Sequence, residues 1–286
     1  MQTQELISIA SQVRRDILRM VHGCQSGHPG GSLGCTDLLV ALYFDVMQLR
    51  VDSKSNQVVF AMSALNEDAF FLSNGHISPV LYSVLARRGY FPIQELSSFR
   101  KINSRLQGHP TPHEHLEGIR IASGSLGQGL SVAIGVAQAK KLNNDPAVVY
   151  CLMGDGEQNE GQVWEAAMYA PHHKVDNLIA FIDVNGQQID GPTEKIMNNR
   201  DLQLKYEAFG WKVLHVNGND LGDLQICLAN AKNMLGNGVP IMILMRTEMG
   251  AGVDFMMGSH KWHGVAPNDQ QLEEALSQLS ETLGDY

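Results

Sequence analysis

Two stretches carry side chains whose type and spacing suit a charged ligand. The first is an apolar run ending at Leu152-Met153 that opens into Gly154-Asp155-Gly156 and then a helix-like segment through Trp164 and Tyr169. A glycine-rich turn from strand to helix is a ready anion site, because unpaired backbone N–H groups and the helix N-terminus point at the ligand. Asp155 opposes a bare phosphate there. A carboxylate beside a diphosphate is repulsive unless a cation separates them, and magnesium or calcium bound by oxygen ligands supplies that cation. The turn also fits the dinucleotide fingerprint poorly, since GxGxxG laid on Gly154 puts Asn159 in the last glycine place.

The second stretch, NLIAFIDVN, ends at Asn185, 30 residues beyond Asp155, the span of one βαβ unit. A right-handed crossover brings both carboxyl ends to the same sheet edge. Asp155 and Asn185 can then place two side-chain oxygens on one metal. Diphosphate oxygens, water and a backbone carbonyl from Gly186 to Gln188 would fill the octahedron.

Of the 11 histidines, three follow glycine in loop-like sequence, His28, His76 and His109, and two more, His260 and His263, frame GSHKWHG. A loop imidazole near its solution pKa can meet phosphates, hydroxyls or protons in transfer, the groups of a sugar-phosphate chemistry. His22, His113, His115, His172, His173 and His215 read as ordinary loop or surface residues. With no HExxH and no Cys/His pair at finger spacing, zinc has little support. Gly124, Gly127 and Gly129, at the head of a small-residue helix over 124–139, leave room for a ligand ring or backbone to approach. Glu160 and Glu165 are five apart and do not share a helix face, so each reads as solvated or at an interface.

Elements that could position these groups are legible in the pattern. Apolar residues from Leu6 to Val21 recur at helical spacing with Gly23 as the expected stop, and a second helix is expected over 36–47 with Thr36 as its cap. Between them QSGHPGGSLG reads as a loop. Buried-strand runs fall at 69–73, 148–153, 178–183, 212–216 and 241–245. Alternating with helices, they predict an α/β fold, a doubly wound and mainly parallel sheet with helices on both faces. One domain over 1–266 is expected, with 267–286 as a polar C-terminal helical extension.

Composition narrows the function. The chain has 286 residues, 44% hydrophobic and 18% charged, with no apolar run long enough to span a membrane. Its formal net charge of −9 opposes nucleic-acid phosphates and anionic lipid surfaces. Four cysteines without CxxC spacing, and no signal-peptide pattern, suggest a reduced, cytoplasmic protein.

In order, SGHPGG, LSNGH, GSLGQG, GDGEQNEG with IDVNGQQIDG, and GSHKWHG resemble the motifs of transketolases, from about Ser11 to Gly264. The resemblance is to the N-terminal half, which holds thiamine diphosphate through a divalent metal, Mg2+ or else Ca2+ or Mn2+. It implies Asp155, Asn185 and the backbone carbonyl of Gln187 as metal ligands, and His76 and Gly156 as diphosphate contacts. It also implies Gly124 and Leu126 as ring contacts and Ile189 as apolar support for the thiazolium. His28, His109 and His260 match substrate-channel histidines, with His260 also near the diphosphate. Glu160 and Glu165 match acidic residues near the interface between two active sites. Ser125 stands where the motif usually has proline, and Arg246-Thr247 where lysine-threonine is common.

The implied activity is transfer of a two-carbon ketol unit from a ketose phosphate to an aldose phosphate, as in the pentose phosphate pathway. The family's pyrimidine-binding domain, with the glutamate that activates the cofactor, finds no counterpart in this sequence. A split enzyme is therefore expected, with a C-terminal partner subunit in an α2β2 assembly. The alternatives are a subunit of a deoxyxylulose-phosphate synthase-like or 2-oxo acid dehydrogenase-like enzyme, or a non-catalytic cofactor-binding paralogue.

Overall fold

A computed structural model describes residues 1–52 and 58–286. Helices α1 (Thr3–Cys24), α2 (Pro29–Gly34) and α3 (Thr36–Ala41) precede strand β1 (Ala69–Leu72) and α4 (Ser78–Arg88). Next come α5 (Gly129–Leu142), β2 (Val149–Gly154), α6 (Gly161–His172) and β3 (Leu178–Val184). A small hairpin of β4 (Gln187–Gln188) and β5 (Gly191–Pro192) leads to α7 (Thr193–Ile196) and α8 (Leu202–Phe209). The chain continues through β6 (Lys212–Asn217), α9 (Leu221–Met234), β7 (Ile241–Arg246) and α10 (Asp269–Ser277).

Strands β1, β2, β3, β7 and β6, in that spatial order, form one sheet in which every pairing is parallel. Successive residues of a strand face opposite sides, and both sides are apolar. Phe70, Tyr150, Phe181 and Ile243 point into a core shared with α1, α3, α4 and α9. Phe71, Cys151, Ile182 and Met242 point into a second core against α5, α6 and α8. That two-sided burial explains the unbroken apolar runs and is the doubly wound α/β architecture. All five expected strands are present, with ends shifted by at most a residue or so.

Helices deviate more from expectation. The apolar face of α1 is buried as its periodicity implies, but the helix runs past Gly23 and closes at Gln25, whose φ of 50° is left-handed. QSGHPGGSLG is not a loop throughout: Pro29 opens α2 at a first-turn position where its missing N–H costs nothing. Thr36 does not cap the next helix. Its hydroxyl donates to the Ser32 carbonyl, tying α3 to α2, and α3 gives way to a π turn over Leu42–Val46. Of the stretch 267–286, nine residues form α10, and the last residues pack on α1 and α4, where Arg15 of α1 pairs with Asp285 at 2.7 Å and Arg87 of α4 donates to the carbonyls of Leu283 and Gly284. Among the described residues, no helix is long and apolar enough to cross a membrane.

Candidate functional site

The parallel pairing of β2 with β3 sets Gly154 opposite Asp183, so the chain leaves both strands at the same carboxyl edge. One residue later Asp155 is reached, and two residues later Asn185. The Asp155 carboxylate accepts from the Gly156 N–H at 2.7 Å and, across the gap between the loops, from the Gly186 N–H at 2.7 Å. Gly186 reaches it with φ of +73°, a left-handed conformation that glycine adopts without strain. The Asn185 amide donates to Asp183 at 2.8 Å, which leaves its carbonyl oxygen to accept from the Gln187 N–H at 2.9 Å. Asp183 is in turn held by the hydroxyl of Thr247 and by the buried Cys35 thiol.

Electrostatically the turn pair is short of positive charge. Asp155 is 4% exposed, and burial together with the nearby Asp183 carboxylate pushes its pKa up to about 7. A divalent cation against its free lone pairs would remove that penalty. Further oxygens are at hand, since the Asn74 and Gln187 side-chain oxygens are buried without a hydrogen-bond partner. Such orphaned acceptors fit a metal and its polar ligand.

Four histidines meet beside this turn. The rings of His28 and His76 are 5.1 Å apart, His28 and His263 5.5 Å, His76 and His263 5.1 Å, and His28 and His109 6.3 Å. Burial and mutual repulsion lower their basicity. Desolvation first, then His263, Arg100 and His109, bring His28 down to about 4; desolvation, then His263, His28 and His109, bring His76 to about 3. His109 and His263 are also lowered, chiefly by burial. The Nδ1 atoms of His28 and His263 and the Ser123 hydroxyl are buried without partners. Uncharged imidazoles with unsatisfied nitrogens are suited to receive phosphate or hydroxyl groups.

The loop GSLGQG closes one side. Gly124, at φ of +125°, lies so near His109 that a Cβ there would come within 2.6 Å of the ring. Leu126 of the same loop is half-buried, and Ile189, at the β4–β5 turn, is 63% exposed and free to support a ligand. Glu160 and Glu165 are exposed around the start of α6.

Of the residues singled out in the sequence, the structure brings together Asp155 with Gly156 and the Asn185–Gln187 turn, and His28 with His76 and His109. His260 lies on the short turn His260–Trp262 just ahead of His263, and among the described residues the ring contacts to the cluster come from His263 instead. Sequence reasoning noticed His263 but gave it no role. It missed Asp183, although position 183 shares a strand face with Asn185, and Glu157, a buried carboxylate in the Gly156–Asn159 turn.

The chain matches, over residues 6–282, the family model described as transketolase, thiamine diphosphate binding domain. It is 36% identical over 288 residues to one of the subunits of the apulose-4-phosphate transketolase of Phocaeicola vulgatus, spanning 99% of this chain and 96% of that one. It is 36% identical over 270 residues to a 6-deoxy-6-sulfo-D-fructose transketolase subunit of a Clostridium species, spanning 94% of each. The crystal structure of transketolase from Campylobacter jejuni superposes with a TM-score of 0.86 at 33% identity, covering 98% of this chain but 43% of that one. The chain thus spans nearly all of the relatives named as subunits and well under half of the solved transketolase. On this sequence, fold and site, the chain belongs to the transketolase family and corresponds to its N-terminal, thiamine diphosphate binding domain.

Proposed function

We propose that the chain is the thiamine diphosphate-binding subunit of a two-chain transketolase, moving a two-carbon ketol unit from a ketose phosphate to an aldose phosphate. The observation that carries this reading is the meeting, at one sheet edge, of the Asp155–Asn185 turn pair with four uncharged histidines. In it Asp155, Asn185 and the Gln187 carbonyl hold the divalent metal, magnesium by preference. His76 and Gly156 take the diphosphate, while Gly124, Leu126 and Ile189 take the rings. Bound there, the cofactor supplies a carbon nucleophile that accepts and releases the ketol unit. The protein's own part is to fix the diphosphate, exclude water and handle protons on sugar hydroxyls, for which His28, His109 and the GSHKWHG histidines, His260 and His263, are placed. Held neutral, His28 and His76 can each offer one N–H and one lone pair, so they can donate to an alkoxide or accept from a hydroxyl.

A partner is part of the proposal. Positioning the cofactor at both ends is a large share of catalysis, and relatives of matching length are named as subunits. Glu160 and Glu165 are exposed around the start of α6, and Glu165 shares a helix face with the exposed apolar side chains Met168 and Tyr169, which supports docking of a C-terminal subunit over that face in an α2β2 assembly. All four cysteines are unpaired, which supports a cytoplasmic setting. The test is turnover of a ketose/aldose phosphate pair with thiamine diphosphate and magnesium, by the chain alone and with its partner. Activity is expected only from the pair. Robust turnover by the isolated chain, in a preparation free of host transketolase, refutes the two-chain reading.

A further inference from the structure

We propose that Glu157 is a positioning residue that pins the ring-side loop GSLGQG to the metal-side turn, setting the width of the cofactor cleft. Its carboxylate is 1% exposed and faces three donors. One oxygen accepts from the Ser73 hydroxyl and from the Gly127 N–H at 2.7 Å, and the other from the Gly154 N–H at 3.0 Å. Ser73 passes the restraint on, its hydroxyl oxygen accepting from the Gly129 N–H at 3.0 Å. A single side chain therefore joins the carboxyl end of β1, the loop entering α5, and the carboxyl end of β2 next to Asp155.

The loop needs such a pin. Gly127 has φ of +85°, and no regular ladder satisfies its N–H. On its other side it rests on Glu160, whose Cβ would stand 2.7 Å from a Cβ at position 127. The Gly127 and Gly154 N–H groups, which can only donate, meet opposite oxygens of the carboxylate, so an amide in its place would set its own NH2 against one of them and only a group with two acceptor oxygens satisfies both. Charge-assisted bonds of this kind are about twice as strong as neutral ones. With three donors filling it and almost no accessible surface, the carboxylate acts through the loop rather than on a ligand.

The inference rests on the cofactor reading only for its consequence, and the two fail separately. Hydrogen exchange of the full-length, ligand-free chain tests the pin. In Glu157→Gln, whose amide must turn an N–H toward one of these donors, peptides covering 124–129 and 153–157 are expected to exchange about tenfold faster, with β3 and β7 unchanged. Calorimetry with thiamine diphosphate and magnesium should then show affinity at least roughly tenfold weaker than wild type. Exchange within about twofold of wild type, or equal acceleration in β3 and β7, overturns the pin. If the glutamine variant does not fold, Ser73→Ala decides: faster exchange at the Gly127 and Gly154 amides, which Glu157 and not Ser73 holds, sustains the pin, and faster exchange confined to Gly129, whose N–H loses its own acceptor, overturns it. If the wild-type chain binds no thiamine diphosphate, the cofactor reading fails while the exchange result still decides the pin.

Discussion

Replacing His76 with asparagine should flatten the acid sensitivity of the ligand-free chain. His76 is neutral in the folded protein down to about pH 3 and His28 to about pH 4, while each protonates near 6.5 once unfolded. The folded pKa is depressed below the unfolded one, so the unfolded state binds more protons across this window, and stability falls as pH drops below 6.5. At pH 8 neither state is protonated and the histidines contribute nothing. At pH 5 the unfolded chain gains about 2 kcal/mol for each ring and the folded chain almost none. Together they remove about 4 kcal/mol, a large share of an ordinary domain's stability. His76→Asn should therefore lose about 2 kcal/mol less than wild type between pH 8 and pH 5. Urea unfolding at both values measures this, and because other groups facing the rings, Arg100, His109, His263 and Asp190, are present in both proteins, their contributions largely cancel. Exposed His172, replaced in the same way, is the control. If wild type and His76→Asn lose equal stability over this range, the buried, uncharged cluster is wrong.

Asp155→Ala should abolish magnesium-dependent thiamine diphosphate binding in calorimetry while far-ultraviolet circular dichroism stays native; wild-type affinity would remove Asp155 from the metal site. With the partner present, His109→Ala and His263→Ala should lower kcat by about 100- to 10,000-fold and His260→Ala by less, with His172→Ala near wild type, since only the first two have rings in the cluster. Met168→Glu, which puts a charge on the exposed apolar face of α6, should weaken capture of the partner chain in analytical ultracentrifugation by at least about tenfold; unchanged association places the partner elsewhere.

What the sequence made legible follows physical locality. Strands buried on both faces write themselves as continuous apolar runs, and two of them 30 residues apart fix a shared sheet edge, so Asp155 and Asn185 could be paired before any coordinates. The stretch between α1 and α3 was harder because its proline opens a helix and its glycines, read as loop formers, here serve close packing: a Cβ on Gly30 would fall within 2.8 Å of the Trp262 carbonyl, so the residue at position 30 is small for a reason more than 200 residues away. His263 was passed over for the same cause. Nothing within GSHKWHG distinguishes its two histidines until the turn at 260–262 directs one ring toward His28 and His76. Glu157 is the strongest instance. In the sequence it is one more acid in GDGEQNEG, and its role exists only because Ser73 at the end of β1, Gly127 ahead of α5 and Gly154 at the end of β2, brought together by the crossover between the two strands, aim their donors at one point. A carboxylate that would be costly to bury alone becomes the cheapest way to satisfy donors that no strand or helix can reach. The pin at the cleft's polar edge is therefore specified by topology, and Glu157, unlike Asp155 and Asn185, can be named for it only after the sheet order is known.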